Sequence, residues 1–174
     1  MSEFSGRWSV TDVYRARNAD TWPLGAGPPR GLFGGGTTGS TTNVIDYVTI
    51  TTTGNATDFG NLTVARRLPG SCSSSTRGLF GGGTTGSNSN VIDYVTIATT
   101  GNATDFGNLT VSRQGSGACS SSTRGLFGGG YSGSYLNVID YVTVATTGNA
   151  TDFGDLTASR AYSGACSNAH GGLA

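Results

Sequence analysis

The sequence predicts an all-β protein that is built from three copies of one unit. The segment RGLFGGG begins at Arg30 and returns at Arg77 and Arg124, so both intervals (77 − 30 and 124 − 77) are 47 residues. Near-identical units at one fixed period indicate a repeat architecture. Within each unit, β-branched and aromatic residues alternate between glycine-rich turns, which is typical of short strands. No window inside the repeats has the period of an amphipathic helix.

Each unit predicts four short strands in a fixed order. In the first copy, residues 31–33 form a small apolar segment that three glycines end, and residues 44–50 alternate β-branched and aromatic side chains. Residues 53–55 carry a strong turn signal before the third segment, 58–64. The fourth segment, residues 70–74, consists of small residues.

The predicted organisation along the chain has five parts. These are a docking segment and linker at 1–29, repeats at 30–76, 77–123 and 124–170, and the start of a truncated fourth unit at 171–174. The last assignment rests on alignment, because Leu173 occupies the position of Leu32.

The N-terminal segment differs from the repeats. Ser9 is a suitable cap for a short helix with one apolar face, which includes Tyr14. We expect Trp8, Tyr14 and Trp22 to be docking residues, and a Gly- and Pro-rich linker to follow. Two interpretations remain open. The segment either anchors the chain to another protein or covers the edge of the repeat domain.

Composition and charge exclude several classes of function. The chain has 10 basic and 10 acidic residues, and this balance argues against a nucleic-acid or anionic-membrane partner. No stretch approaches the ~18–20 apolar residues of a membrane span, and the N-terminus lacks the pattern of a signal peptide. The one histidine and three scattered cysteines do not have the spacing of a metal site, so we expect no metal and no cofactor.

The recurring chemical groups predict structural roles. Each repeat carries equivalents of Asp46, Asp58, Arg30 and Arg66. Catalysis needs one asymmetric constellation, whereas three equal copies favour ion pairs that are buried or join neighbouring units. The same logic assigns the phenylalanine and tyrosine rings to packing layers between units. Cys72 and its equivalents fit as compact residues of crowded inner strands.

The repeats resemble kelch blades. The matching features are the paired glycines Gly35 and Gly36 after an apolar strand, the aromatic residues Tyr47 and Phe59, and then Arg66. Phe59 stands where the kelch family usually has Trp. The resemblance covers residues 30–170 and implies four-stranded blades of a β-propeller.

A closer resemblance is to kelch-like repeat structural proteins in the particles of tailed phages. The segments that carry it are RGLFGGG, NVIDYVTI and GNATDFGNLTV, together with the opening GRWSV. The resemblance implies a tail-fibre, head-fibre or other surface component that is assembled in the host cytoplasm and placed in the virion. Other virion proteins are then the expected partners, and we expect no enzymatic activity.

Three units leave the closure of the array open, because propellers commonly have about four to eight blades. Two chains forming one six-bladed ring would be a closed homo-oligomer. Alternatively, the three repeats close on themselves as a β-prism or β-trefoil. A third arrangement is a trimer with shared sheets, as in phage fibres.

An alternative function is that of a lectin-like module for host surface glycans. The repeats differ from one another mainly at loop tips, where Thr37 and Thr41 of the first copy become Tyr131 and Tyr135 in the third. Loop tips are common recognition sites. Tyr131 and Tyr135 are therefore the candidate ligand contacts.

Overall fold

The computed structural model describes residues 28–168. The predicted N-terminal helix, with Trp8, Tyr14 and Trp22, lies outside these residues, as does the proposed fourth unit at 171–174. Within the described part, all regular structure is β-strand, so the prediction of an all-β protein is confirmed.

Eleven strands follow one another along residues 30–155. They are β1 (Arg30–Gly34), β2 (Val44–Thr49), β3 (Thr57–Asn61), β4 (Gly70–Ser73), β5 (Arg77–Gly81), β6 (Val91–Thr96), β7 (Thr104–Asn108), β8 (Gly117–Ser120), β9 (Arg124–Gly128), β10 (Val138–Thr143) and β11 (Thr151–Asp155). They form three antiparallel sheets with the orders β1-β2-β3, β4-β5-β6-β7 and β8-β9-β10-β11. We call these the first, second and third sheets.

The sheets are offset from the sequence repeats. Strand β4 lies in the first repeat but pairs with β5 of the second, so that Cys72 is opposite Leu79. Each four-stranded sheet therefore takes its first strand from the preceding repeat. In the described residues the four strands predicted for each repeat are present in the first and second repeats, and the third has three. By sheet, the first has three strands and the second and third have four. The equivalent small segment of the third copy, residues 164–167, is not a strand.

Two apolar layers hold the three sheets together. The layer between the first and second sheets contains Ile45, Phe59, Leu62, Phe80 and Val95. The layer between the second and third sheets contains Leu79, Ile92, Phe106, Leu109, Phe127, Val142 and Val144. Successive residues of a strand point to opposite faces, so Leu79 and Phe80 enter different layers. The second sheet is thus covered on both faces, and each buried large side chain contributes about 1.5–3 kcal/mol.

Glycines follow β1, β5 and β9, and the backbone conformation there requires them. Gly82 has a φ of +69°, and a Cβ there would lie 2.5 Å from the carbonyl oxygen of Arg113. The following residue, Gly83, donates its N–H to that same carbonyl at 2.9 Å. Only glycine permits both this left-handed turn and this close approach. The turn fixes the backbone of Arg113, whose side chain joins two sheets.

Candidate functional site

The most elaborate polar cluster of the described residues is a joint between two sheets. Arg66 follows β3 of the first sheet, and its Nη2 lies 2.8 Å from Oδ2 of Asp93 on β6 of the second. Neither side chain is exposed to solvent. The same joint recurs between the second and third sheets, where Arg113 and Asp140 are 2.9 Å apart and equally buried.

Further hydrogen bonds support both charges in the first joint, although the Nε of Arg66 is buried without a partner among the described residues. Arg66 donates to the carbonyl oxygens of Phe80 at 3.1 Å and Val91 at 3.2 Å. On the other side, the backbone N–H and the hydroxyl of Thr63 donate to the Asp93 carboxylate at 3.0 and 2.7 Å. Such bonds are what offsets the desolvation cost of a buried ion pair.

Burial lowers the pKa of the Arg66 guanidinium, and the negative charge of Asp93 opposes that shift. Arg113 is affected in the same way, by burial first and by Asp140 in opposition. A guanidinium begins from so high a pKa that it stays charged. The two joints are therefore ionic clamps.

The sequence-based expectation of sheet-joining ion pairs is confirmed for Arg66 and Arg113 and is wrong for the other recurring charges. Asp58 and its equivalents are exposed. Arg30 lies with its Cζ 4.6 Å from the centroid of the Tyr47 ring and donates to the carbonyl of Ile97 at 2.8 Å. It thus joins the first and second sheets through a ring and a carbonyl oxygen, without a carboxylate.

The recurring phenylalanine rings fill the layers between sheets, with two exceptions. Phe80 and Phe127 are 3% and 0% exposed, but the equivalent Phe33 is 62% exposed. Likewise Phe106 is buried, and its equivalent Phe153 is 52% exposed. The expectation that every copy is buried is therefore wrong for Phe33 and Phe153. These two rings lie on the outward faces of the first and third sheets, which no described sheet covers.

The small fourth segments of the three repeats lie side by side. The hydroxyl of Ser120 donates to the carbonyl of Ser73 at 2.5 Å, and that of Ser167 donates to the carbonyl of Ser120 at 2.6 Å. Next to this row, a Cβ on Gly125 would come within 2.8 Å of Sγ of Cys72. Small residues are needed here because adjacent sheets approach each other directly.

The three cysteines are free thiols with different environments. Cys72 and Cys119 are half-buried, while Cys166 is exposed. Burial is the main cause that raises the pKa of Cys72 to about 12, and the neighbouring Cys119 adds to the shift. Burial also raises the pKa of Cys119. A thiol in this state is a poor nucleophile, because the reactive form is the thiolate.

Tyr131 and Tyr135 lie together in the loop between β9 and β10. Their rings are 5.7 Å apart between centroids at an angle of 67°, and their backbones form an isolated β-bridge. Tyr135 is 59% exposed and Tyr131 is half-buried. Tyr131 is also fixed by two backbone hydrogen bonds with Gln114, at 2.8 and 3.1 Å. The two predicted contact residues thus form one pre-organised aromatic surface.

One surface feature was missed by the sequence-based reasoning. The outward face of the third sheet has an open apolar cavity of about 350 Å³. Its lining includes Gly128, Ile139, Phe153, Leu156 and Arg160. The signal was present in the sequence, because the outer members of a repeat array each have one face without a neighbour.

Within residues 28–168, no group of three or more His, Cys, Asp or Glu side chains is placed to hold a metal ion. The same part of the chain has no helix that is long and apolar enough to cross a membrane. No protein-family model matches the chain, and a search of curated proteins finds no match.

Proposed function

We propose that the chain is a structural subunit of a tailed-phage particle, as a tail-fibre, head-fibre or other surface component. The observation that carries this proposal is the repetition of the joint between Arg66 and Asp93 by Arg113 and Asp140. These charged side chains are fully buried and bonded to backbone carbonyls and threonines. They are therefore engaged in holding sheets together and are withheld from solvent and substrate.

We further propose that the sheets are kelch-like propeller blades. Three features support this. The second and third sheets are four-stranded meanders in sequence order, which is the layout of a blade. Their first strands are made of small residues and touch one another through Ser73 and Ser120. Each sheet also packs on the next with equivalent residues, so adding a sheet extends the array by a fixed step.

An enzymatic role is not part of this proposal. Among residues 28–168, the carboxylates in ion pairs are those of the two joints, and each is bonded to its arginine and threonine partners. A general acid or base has to reach its substrate. The expected site of action is the virion, after assembly with other virion proteins in the host cytoplasm.

Mass spectrometry of particles tests the proposal. Particles of a phage that encodes this chain would be purified on a density gradient, washed in high salt and digested with trypsin. We expect the fragments 78–113 and 125–160 to co-migrate with the major structural proteins across the gradient. Recovery of the chain only from the soluble lysate, with none in washed particles, would contradict a structural role.

The tyrosine pair favours a second candidate function, glycan binding. Exposed aromatic rings with fixed geometry are suitable platforms for sugar rings, and Tyr131 and Tyr135 occur in the third copy only. The test is titration of host surface polysaccharide against the chain and against Tyr131→Ala and Tyr135→Ala. We expect about a tenfold or greater loss of affinity for each. Thr37→Ala and Thr41→Ala, at the equivalent loop of the first copy, are the matched controls and should bind as the parent does.

A further inference from the structure

The two sheet faces that no described sheet covers carry the two halves of one joint. We define the head face as the outward side of the first sheet, with Phe33, Asp46 and Ile50. The tail face is the outward side of the third sheet, and its residues are Gly128, Ile139, Phe153, Leu156 and Arg160. Each residue on either face has an equivalent inside the molecule that is engaged in a sheet-to-sheet contact.

The first element of the joint is a phenylalanine ring on a glycine. A Cβ on Gly34 would lie 2.8 Å from the ring of Phe80, and a Cβ on Gly81 would lie 2.7 Å from the ring of Phe127. These glycines therefore make room for a ring from the next sheet. The equivalent Gly128 has no such ring above it, since a Cβ there would meet only Ile139 and Leu156 at 3.6 and 3.8 Å among the described residues.

The matching ring is on the head face. Phe33 is equivalent to Phe80 and Phe127, and it is 62% exposed. The first sheet holds it on β1, the strand that corresponds to β5 and β9, where the other two rings lie. A second copy of the chain therefore presents the ring that the slot above Gly128 lacks.

The second element is the ionic clamp. Arg66 pairs with Asp93 and Arg113 with Asp140, which leaves Arg160 on the tail face and Asp46 on the head face. Arg160 is exposed and Asp46 is half-buried. The threonine that assists the clamp is also present, because Thr157 corresponds to Thr63. The charges of the two faces are thus opposite and at equivalent positions.

The third element is a close backbone approach. A Cβ on Gly107 would lie 2.3 Å from the carbonyl oxygen of Gly148, because the chain before β11 crosses β7 there. Gly154 is the equivalent of Gly107, and no described atom lies within 4 Å of its Cβ position. The equivalent of Gly148 is Gly54, which belongs to the first repeat. The tail face thus retains a glycine at a point where a second copy's backbone would pass.

One position departs from the internal pattern. The backbone N–H of Asn61 donates to the side-chain oxygen of Asn102 at 3.0 Å, and Asn108 does the same to Asn149. Asp155 occupies this position in the third copy. The backbone N–H that makes this bond is present in Asp155 as well, whereas the side-chain donor that Asn61 and Asn108 contribute is lost.

We propose that the tail face of one copy binds the head face of a second copy of this chain, with Phe33 of the second copy over Gly128 and Asp46 of the second copy beside Arg160. This inference deepens the proposed assembly role by naming the partner, and it rests on that role for its biological purpose. Head-to-tail contacts form rings when the rotation closes. With three sheets per chain and about four to eight blades per propeller, the ring that closes contains two copies.

Light scattering of the purified full chain during size exclusion tests the proposal. We expect a mass of about twice the 17.6 kDa of one chain. Gly128→Ala fills the slot of the tail face, and Phe33→Asp replaces the ring of the head face. Either substitution alone should weaken the self-association of the chain by about tenfold or more. Gly148→Ala is the matched control, because its Cβ would meet no described atom within 4 Å.

Mixing the two variants tests the head-to-tail direction. The Gly128→Ala chain keeps an intact head face, and the Phe33→Asp chain keeps an intact tail face. Together they should form a 1:1 complex that neither forms alone. A mixture that stays monomeric would overturn the proposal, as would a parent chain that is monomeric at high micromolar concentration. Either result would favour a fold in which other parts of the same chain cover the two faces.

This test separates the two proposals. A monomeric chain that is nevertheless recovered in washed phage particles contradicts the self-association and leaves the virion role standing. A clean dimer that is absent from particles contradicts the virion role and leaves the interface standing. Circular dichroism spectra of Gly128→Ala and Phe33→Asp that match the parent show that the folds of these variants are intact.

Discussion

Arg66 and Asp93 lie on different sheets and form a 2.8 Å ion pair in which neither side chain is exposed. The arginine belongs to the first repeat and the aspartate to the second. Because each charge would be costly to bury alone, the pair fixes the register of one sheet on the next as well as their contact. Arg113 and Asp140 repeat the arrangement one unit further along.

Removal of the negative charge from this pair should destabilise the fold. Asp93→Asn keeps the side-chain shape but leaves the Arg66 guanidinium buried without a counter-charge. We expect a loss of about 3–5 kcal/mol in the free energy of unfolding, measured by chemical denaturation. The matched control is Asp58→Asn, which changes an exposed carboxylate and should stay within about 0.5 kcal/mol of the parent. Equal losses of unfolding free energy in the two variants would show that the buried pair stabilises the fold no more than an exposed carboxylate does.

The layer between the second and third sheets should be sensitive to cavities. Leu79 is fully buried in that layer, so Leu79→Ala should cost about 2–5 kcal/mol of unfolding free energy. Leu68 is 42% exposed, and Leu68→Ala should cost well under half as much. Thermal and chemical denaturation of the two variants under the same conditions check this. A small effect at Leu79 would mean that the sheets do not pack as described.

The close approach at Gly82 should make alanine costly there. Gly82→Ala places a methyl group 2.5 Å from the carbonyl oxygen of Arg113 and forces alanine to a φ of +69°. Gly133→Ala is the control, since Gly133 has a φ of +86° but no described atom within 4 Å of its Cβ. The control should lose about 1–2 kcal/mol from backbone strain alone. A melting temperature for Gly82→Ala that equals that of Gly133→Ala would argue against the steric contact.

Cys72 should react slowly with thiol reagents until strongly alkaline pH. Its pKa of about 12 leaves on the order of a thousandfold less thiolate at pH 8 than an ordinary thiol has. Two variants are compared, each with a single remaining thiol. One keeps Cys72 and the other keeps the exposed Cys166. Alkylation of the former should rise about tenfold for each pH unit up to about 12, in proportion to thiolate. Rapid alkylation of Cys72 at pH 8 would contradict its burial.

The same shift has a consequence for stability. The folded-state pKa of Cys72 is raised above the unfolded value of about 8.5, so folding favours the neutral thiol. That contribution is fully present below about pH 8.5 and is lost as the pH rises through about 12. Cys72→Ala should therefore reduce the steepness with which the unfolding free energy falls over that interval. An unchanged pH dependence would contradict the shift.

The period and strand content of the fold follow from local patterns in the sequence, whereas strand partners do not. The small segment at 70–73 reads as a strand, but its composition does not tell whether it pairs within its own repeat or, as found, with β5. The sequence did not indicate the partner of Arg66 either, because every repeat contains the same arginine and aspartate. Tertiary stacking decides which copy supplies the carboxylate.

The exposure of Phe33 could not be read from its sequence context either. Its neighbours are identical to those of the buried Phe80, and the two rings differ only in whether a sheet lies in front of them. By contrast, Tyr131 and Tyr135 could be singled out from the sequence, because loop-tip differences between otherwise equal repeats are visible without a structure. The structure places their ring centroids 5.7 Å apart. Local patterns thus located the variable surface but gave no information on which faces lack a neighbouring sheet within residues 28–168.

The offset between sheets and repeats makes the array tolerant of recombination. Loss of residues 77–123 would join Thr76 directly to Arg124, and β4 would then precede β9 with the same sequence at the junction. Arg66 would meet Asp140 in place of Asp93, through a joint of unchanged chemistry. Unequal crossing-over between such similar repeats can therefore lengthen or shorten the gene by whole units, and each product inherits working interfaces without any compensating mutation.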